Sequence, residues 1–222
     1  MDDLLSEKEQ LERMRTWWSD YGNYVIAGIV LGAAILFGIN HYQTTQRDAE
    51  LAASALYDRL TDEIVDGSVE TAEAIAGEID ADYGDSAYAT QAKLAMARLY
   101  MDQNRDEDAA DALRDLLAAD APGPFTHIAR IRLAKIYLYQ DKAEEVVELL
   151  QGQASEAFAA RYAESLGDAY VALGRFAEAR EAYERALDEP PQGATVDQSF
   201  VRLKLIDLPV EVFDEDSGEE SE

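Results

Sequence analysis

Few side chains in this sequence are suited to catalysis or metal binding, and their spacing argues against both. Cysteine is absent, which excludes thiol nucleophiles, disulfides and thiolate metal sites. His41 borders an apolar run and His127 stands alone just after Pro124, so neither has a second histidine at ligand spacing. Carboxylates are so abundant, 46 in 222 residues, that pairs placed for general acid–base work arise by chance and carry no signal. Glycines never form the GxGxxG or GxxxxGK[ST] patterns that cradle phosphates. The stretch DQNRDEDAAD, Asp102 to Asp111, has the look of a calcium loop but lacks glycine at the sixth position and glutamate at the twelfth. Helix capping accounts better for its aspartates. These residues predict no enzyme, no metal and no cofactor.

The elements that would position any binding residues are helical. Alanine, leucine, glutamate, aspartate and arginine dominate, while glycine and proline are sparse and bunched, so the fold class is all-α with no β-sheet expected. The length allows one medium domain plus an appendage. A formal net charge of −27 excludes nucleic acid and anionic lipid head groups, both of which need basic surface. It leaves a solvated acidic surface or the recruitment of a basic partner.

The appendage is at the N-terminus. From Tyr21 to Tyr42 the chain reads YGNYVIAGIVLGAAILFGINHY, free of charged or strongly polar side chains between Val25 and Ile39. At 1.5 Å rise per residue, about 20 residues cross roughly 30 Å of hydrocarbon. Trp17, Trp18, Tyr21 and Tyr24 flank one end and His41 with Tyr42 the other, as amphipathic rings do at the two interfaces of a bilayer. A cleaved signal peptide needs small residues just after the apolar run, where this chain has Ile39, Asn40, His41 and Tyr42. The run therefore predicts an uncleaved transmembrane helix. Arg13 and Arg15, with Lys8 further out, precede it and only Arg47 lies close after it, which points the N-terminus into the cytoplasm. Gly28 and Gly32, then Ala34 and Gly38, repeat the small-xxx-small spacing of helix–helix contacts in membranes.

Beyond Gln43, apolar residues recur at helical spacing between short breaks at Asp66-Gly67, Tyr83-Gly84-Asp85, Asn104, Pro122-Gly123-Pro124, Asp141, Gly152, Gly174, Pro190-Pro191 and Pro209. The segment Arg161 to Pro191 carries Leu166, Gly167, Tyr170, Leu173, Gly174, Phe176, Ala179, Tyr183, Ala186 and Pro191, the pattern of a tetratricopeptide helix pair. Small Gly167 and Ala179 suit a close helix crossing, Tyr170 and Tyr183 fill the gap to the next repeat, and Pro191 ends the second helix. Leu133, Ala134 and Tyr137 followed by Ala143, Val146 and Leu150 repeat the register 33 residues upstream. Met96, Ala97 and Tyr100 followed by Ala109, Leu113 and Leu116 repeat it a further 37 upstream. Residues 46 to 83 read as a fourth, degenerate pair. Neighbouring pairs must stack to bury both apolar faces, and Thr195 to Leu208 reads as the capping helix. The expected organisation is a leader (1–20), a transmembrane helix (21–42), a tetratricopeptide-like α-solenoid (43–208) and an acidic disordered tail (209–222).

From the leader EKEQLERMRTWWSDYGN through the glycine-rich span and the helix pairs to VRLKLIDL, the chain resembles the ancillary SecYEG translocon subunit family. The leader, with Gln10, Glu12, Trp17-Trp18 and Gly22, is the most specific part. That resemblance implies a bacterial inner-membrane protein whose helical domain is periplasmic. It also implies partners: the SecYEG translocon, a membrane-anchored periplasmic chaperone related to peptidyl-prolyl isomerases, and exported client proteins passed to periplasmic chaperones. A scaffold for another envelope or secretion complex shares this topology and differs in partner. Tetratricopeptide positions place Gln91, Leu94, Arg98 and Met101 on the concave face, followed by Ile131, Lys135, Leu138 and Tyr139, then Arg161, Glu164 and Asp168. The lysine/asparagine clamp for a C-terminal carboxylate is missing.

Overall fold

The computed structural model describes residues 7–119, 123–153, 155, 157–188 and 196–209. Among these residues all regular structure is helical: α1 (Glu7–Asp66), α2 (Val69–Tyr83), α3 (Ala87–Asp102), α4 (Asp106–Ala118), α5 (Pro124–Tyr139), α6 (Ala143–Leu150), α7 (Ala159–Ala172), α8 (Phe176–Asp188) and α9 (Gln198–Ile206). The chain divides into two compact units, Met1–Ala55 and Leu56–Glu222, with the last turns of α1 belonging to the second. Pro122, Pro190, Pro191 and the acidic tail beyond Pro209 lie outside the described residues.

The first unit has no break at the edges of the apolar run, because nothing between Asn23 and Gln43 interrupts helical backbone. Its large side chains point outward: Ile26, Ile29, Val30, Leu31, Ile35, Leu36, Phe37 and Ile39 are all exposed. Thr16, Thr44 and Thr45 return their hydroxyl hydrogens to carbonyls one turn back, which consumes their polarity locally. Gly22 has an intrahelical reason. A Cβ there would approach the Trp18 indole to 3.2 Å, so glycine lets the ring lie along the helix.

In the second unit one turn is used four times. Gly67, Asn104, Asp141 and Gly174 have φ of 72°, 57°, 58° and 71°. At each, the next residue donates its N–H back five residues: Ser68 to Glu63 (2.9 Å), and Arg105 to Tyr100, Lys142 to Tyr137 and Arg175 to Tyr170 (2.8 Å each). The turn residue itself donates three back, to Ile64, Met101, Leu138 and Val171 respectively. This is the Schellman arrangement, whose left-handed residue is glycine or, at modest cost, asparagine or aspartate. Five residues on stand Ala72, Ala109, Val146 and Ala179, each with no exposed surface. The repeat register therefore extends to the end of α1, and the degenerate first pair is a hairpin turned at Gly67.

Residue types at the turns strengthen them. Arg105 lies 4.5 Å over the Tyr100 ring and Arg175 lies 4.6 Å over Tyr170. Arg105 also pairs with Asp108 and with Glu73 of α2 (2.9 Å). Burial, reinforced by Glu73, pushes the Tyr100 phenol up to about 12. The aspartates of the calcium-like stretch have a different explanation from the expected caps. The cap of α4 is Arg105, without a side-chain cap, and Asp106, Glu107 and Asp108 occupy the first turn, where the helix dipole favours negative charge.

Stacking buries three successive apolar clusters. Leu56 and Leu60 join Ala72, Ile75, Ile79, Met96 and Leu99; Leu94, Leu113 and Leu116 join Leu133 and Ile136; Val146, Leu150 and Leu166 join Tyr183, Val201 and Leu208. α9 closes the array, capped by Asp197, which accepts from the N–H groups of Ser199 (3.0 Å) and Phe200 (3.2 Å). It seals with Val201 and Leu208 and leaves Phe200, Leu203 and Ile206 exposed.

The α7–α8 crossing is the tightest. A Cβ on Gly167 would fall 2.5 Å from Cδ1 of Tyr183, so this tyrosine packs within its own hairpin as well as towards α9, where Lys204 lies 5.8 Å from the centre of its ring. Where the partner is the smaller Leu113 or Leu150, the equivalent positions are Ala97 and Ala134. Gly167→Ala is expected to lower the unfolding free energy by about 1–3 kcal/mol in urea denaturation. Adding Tyr183→Leu should recover part of that loss; an undiminished penalty would show that the ring is not the obstruction.

Candidate protein-binding face

The inner face is made by the first helix of each pair. α3 packs on α5 and α5 on α7, whereas successive second helices meet through side-chain ion pairs at their starts, Arg105 with Glu73 and Lys142 with Glu107. First helices are thus the closer-spaced row, and the array curves toward them.

Of the positions carried over from the tetratricopeptide pattern, Arg98, Lys135 and Tyr139 are exposed, Tyr139 to 69 %. Gln91, Met101, Leu138, Arg161, Glu164 and Asp168 are partly covered. Leu94 and Ile131 are 7 % and 5 % exposed and belong to the core, with Leu94 in the cluster of α3–α5 and Ile131 in that of α5–α9.

Glu164 and Asp168 are engaged by the last helix. Lys204 Nζ donates to Glu164 Oε1 at 2.9 Å and to both Asp168 oxygens at 2.8 Å. Tyr183 donates its hydroxyl hydrogen to Asp168 Oδ1 at 2.7 Å. Burial works against the Lys204 charge, but the two carboxylates outweigh it and hold its pKa above the ordinary value. Burial and Asp168 together push the Tyr183 phenol far up. The α7 end of the face is therefore closed by a charge network.

Between α3 and α5 the face is open. A depression of about 330 Å³ is lined by Ala97, Arg98, Met101, Leu113, Arg132, Lys135 and Ile136. Arg132 was not among the positions anticipated from sequence; its Nη1 donates to the Leu94 carbonyl at 2.9 Å and bridges the two helices. Burial, then the Arg98 charge, lowers its pKa. The available signal was the arginine one residue beyond Ile131, on a helix without a single carboxylate. His127, at the start of α5, lies 2.6 Å from the Tyr162 hydroxyl and stacks on Phe158, joining α5 to the α7 hairpin. In the first unit a Cβ on Gly28, Gly32 or Gly38 would meet open space, so no packing within the chain demands these glycines, and Ala34 is exposed beside them.

The tetratricopeptide repeat-like domain family matches residues 15–210. The chain belongs to this family. Among its relatives, the ancillary SecYEG translocon subunit of Haemophilus influenzae is 27 % identical over 205 residues, and that of Escherichia coli 26 % over 208. Each alignment covers 92 % of this chain and 98 % of the relative. The Neisseria gonorrhoeae protein of the same name is 25 % identical with equal coverage. Two solved structures share the fold with a TM-score of 0.51. BtubC (BKLC) from P. vanneervenii is 19 % identical and covers 72 % of this chain and 81 % of its own; an MamA RS-1 double mutant is 17 % identical and covers 69 % and 90 %.

Two outcomes test this repeat protein's inner face. Lys204→Met leaves Glu164 and Asp168 without their cation and should cost roughly 1–3 kcal/mol of unfolding free energy, partly restored by adding Asp168→Asn. Burial, then the Arg130 charge, lowers the His127 pKa. The unfolded chain therefore takes up the proton first, so stability is full above about pH 6.5 and falls as pH drops through that value toward the folded pKa. Denaturation between pH 8 and 5 should show this component in the parent and lose it in His127→Phe; identical profiles would contradict it.

Proposed function

We propose that the chain is a membrane-anchored, non-enzymatic scaffold associated with the Sec translocon that helps pass exported proteins to periplasmic chaperones. The observation that carries this reading is the alignment with relatives named ancillary SecYEG translocon subunit over 92 % of this chain and 98 % of each relative, more than the repeats alone could supply. A repeat domain alone has no need of the apolar run in α1.

The anchor reading has physical support of its own. α1 is long and apolar enough to cross a bilayer, and 6 % of its most apolar window is buried within the chain. A row of exposed isoleucine, leucine and phenylalanine is unfavourable in water and favourable in hydrocarbon. Residues 21–42, about 33 Å of helix at 1.5 Å per residue, would span the inner membrane with Trp17, Trp18, Tyr21, Tyr24 and Tyr42 at its interfaces. Arg13 and Arg15 would keep residues 1–20 in the cytoplasm, placing residues 43–208 in the periplasm. Gly28, Gly32, Ala34 and Gly38 would offer the span's close-approach face to another helix. In the periplasm, a membrane-anchored chaperone related to peptidyl-prolyl isomerases and exported clients are the polypeptides offered to the inner face.

Affinity purification of the tagged chain from membranes in mild detergent tests the association. Recovery of the translocon and an anchored isomerase-like chaperone is expected. Their reproducible absence, with another envelope complex recovered instead, would overturn it in favour of a scaffold with different partners. Protease added to intact spheroplasts should digest residues beyond 43 and spare the leader; protection of the repeats would reverse the topology.

A further inference from the structure

The charges of this acidic chain are sorted between its two rows of helices. α2 carries Glu70, Glu73, Glu78, Asp80 and Asp82 and no cation, and α6 carries Glu144, Glu145 and Glu148 and no cation. α4 sets five carboxylates against Arg114 alone, and α8 sets four against Arg180 and Arg185. In the inner row α7 sets Glu164 and Asp168 against Arg161 and the end of α1 is acidic, but α3 and α5 are the reverse of the outer helices. α5 bears Arg130, Arg132 and Lys135 with no carboxylate, and α3 bears Lys93 and Arg98 against Asp102.

This sorting converges on the open depression between α3 and α5. Arg98, Arg132 and Lys135 line it with exposed side chains, and of its apolar lining Ala97, Leu113 and Ile136 are buried while Met101 is only partly covered. Arg98 reaches Asp102 only at 3.8 Å, and its side chain is 78 % exposed. Among the described residues neither Arg132 nor Lys135 has an ion pair, although a formal charge of −27 leaves carboxylates on every neighbouring second helix. Arg132 ties α5 to α3 through the Leu94 carbonyl, but packing does not demand the exposed Arg98 and Lys135 beside it. Lys93 shows the contrast, because it turns to the outer row and pairs with Asp80 at 2.8 Å. Cations left without carboxylates around an apolar lining complement a ligand that brings both acid groups and apolar side chains.

We propose that the α3–α5 depression is a docking site for an extended, acidic segment of a partner polypeptide, which places an apolar side chain beside the partly covered Met101 and its carboxylates against Arg98, Arg132 and Lys135. This rests on the protein-binding reading above and names the chemistry of the bound segment. The outer row repels the same segment, so the fold confines acidic ligands to one groove and orients them along it.

Fluorescence anisotropy with the full chain in detergent micelles tests the assignment. The probes are three labelled twelve-residue peptides with leucine and phenylalanine at fixed places and, at the remaining positions, glutamate, serine or lysine. The glutamate peptide should bind more tightly than the serine peptide and weaken as salt rises. Arg98→Glu combined with Lys135→Glu, both exposed and checked for native helicity by circular dichroism, should weaken it by roughly tenfold or more. No preference for glutamate over serine, or an unchanged affinity in the double variant, overturns the proposal. A chain ending at Pro209 that binds the glutamate peptide roughly tenfold more tightly assigns the groove to the chain's own acidic terminus and also overturns it, as does self-association of the parent chain abolished by the same double variant. Translocon recovery by the parent chain is measured separately, so that reading stands or falls independently of these titrations.

Discussion

A pair of antiparallel helices with apolar residues on two faces cannot bury both alone, and the second unit is organised around that constraint. The Schellman turns at Gly67, Asn104, Asp141 and Gly174 set each pair at the same geometry, with the buried Ala72, Ala109, Val146 and Ala179 at equal distance beyond. Equal hairpins stack in one sense, so first helices form one row and second helices the other. The inner groove, its charge and its closure by α9 are consequences of that repetition.

Side-chain volume then tunes each layer. Where α8 supplies Tyr183, α7 must supply Gly167, and where α4 and α6 supply leucine, alanine suffices at Ala97 and Ala134. The tyrosine brings a hydroxyl that an aliphatic side chain lacks. It supports Asp168, which with Glu164 holds Lys204, so the tightest crossing is also the one that ties the terminal helix to the array.

Much of this was legible in the residues. The breaks at Gly67, Asn104, Asp141 and Gly174 mark the four turns because few residue types tolerate positive φ, and the tyrosine register located the helix pairs. Other features were not legible, for physical reasons. The pattern identifies the row a residue belongs to but not how deeply neighbours cover it, so Leu94 and Ile131 read as groove residues while the clusters enclose them. Glu164 and Asp168 read as concave-face positions without sign of their partner, because Lys204 lies 36 or more residues away in sequence. Arg132 stands on a helix without a carboxylate, but its bond to the Leu94 carbonyl, which fixes it at the groove, leaves no mark in the tetratricopeptide pattern. The aspartates after Asn104 read as caps, yet Arg105 holds that position and they act through the helix dipole.

In the proposed function the inner row of helices is the surface offered to partners and the outer row is an acidic exterior turned to solvent. A photo-crosslinking residue placed at Lys135, on the inner row, and separately at Glu148, on the outer row, compares the two in intact membranes. Adducts with other polypeptides from position 135 and none from position 148 are the predicted result. Adducts from position 148 alone, or equally from both, would contradict it.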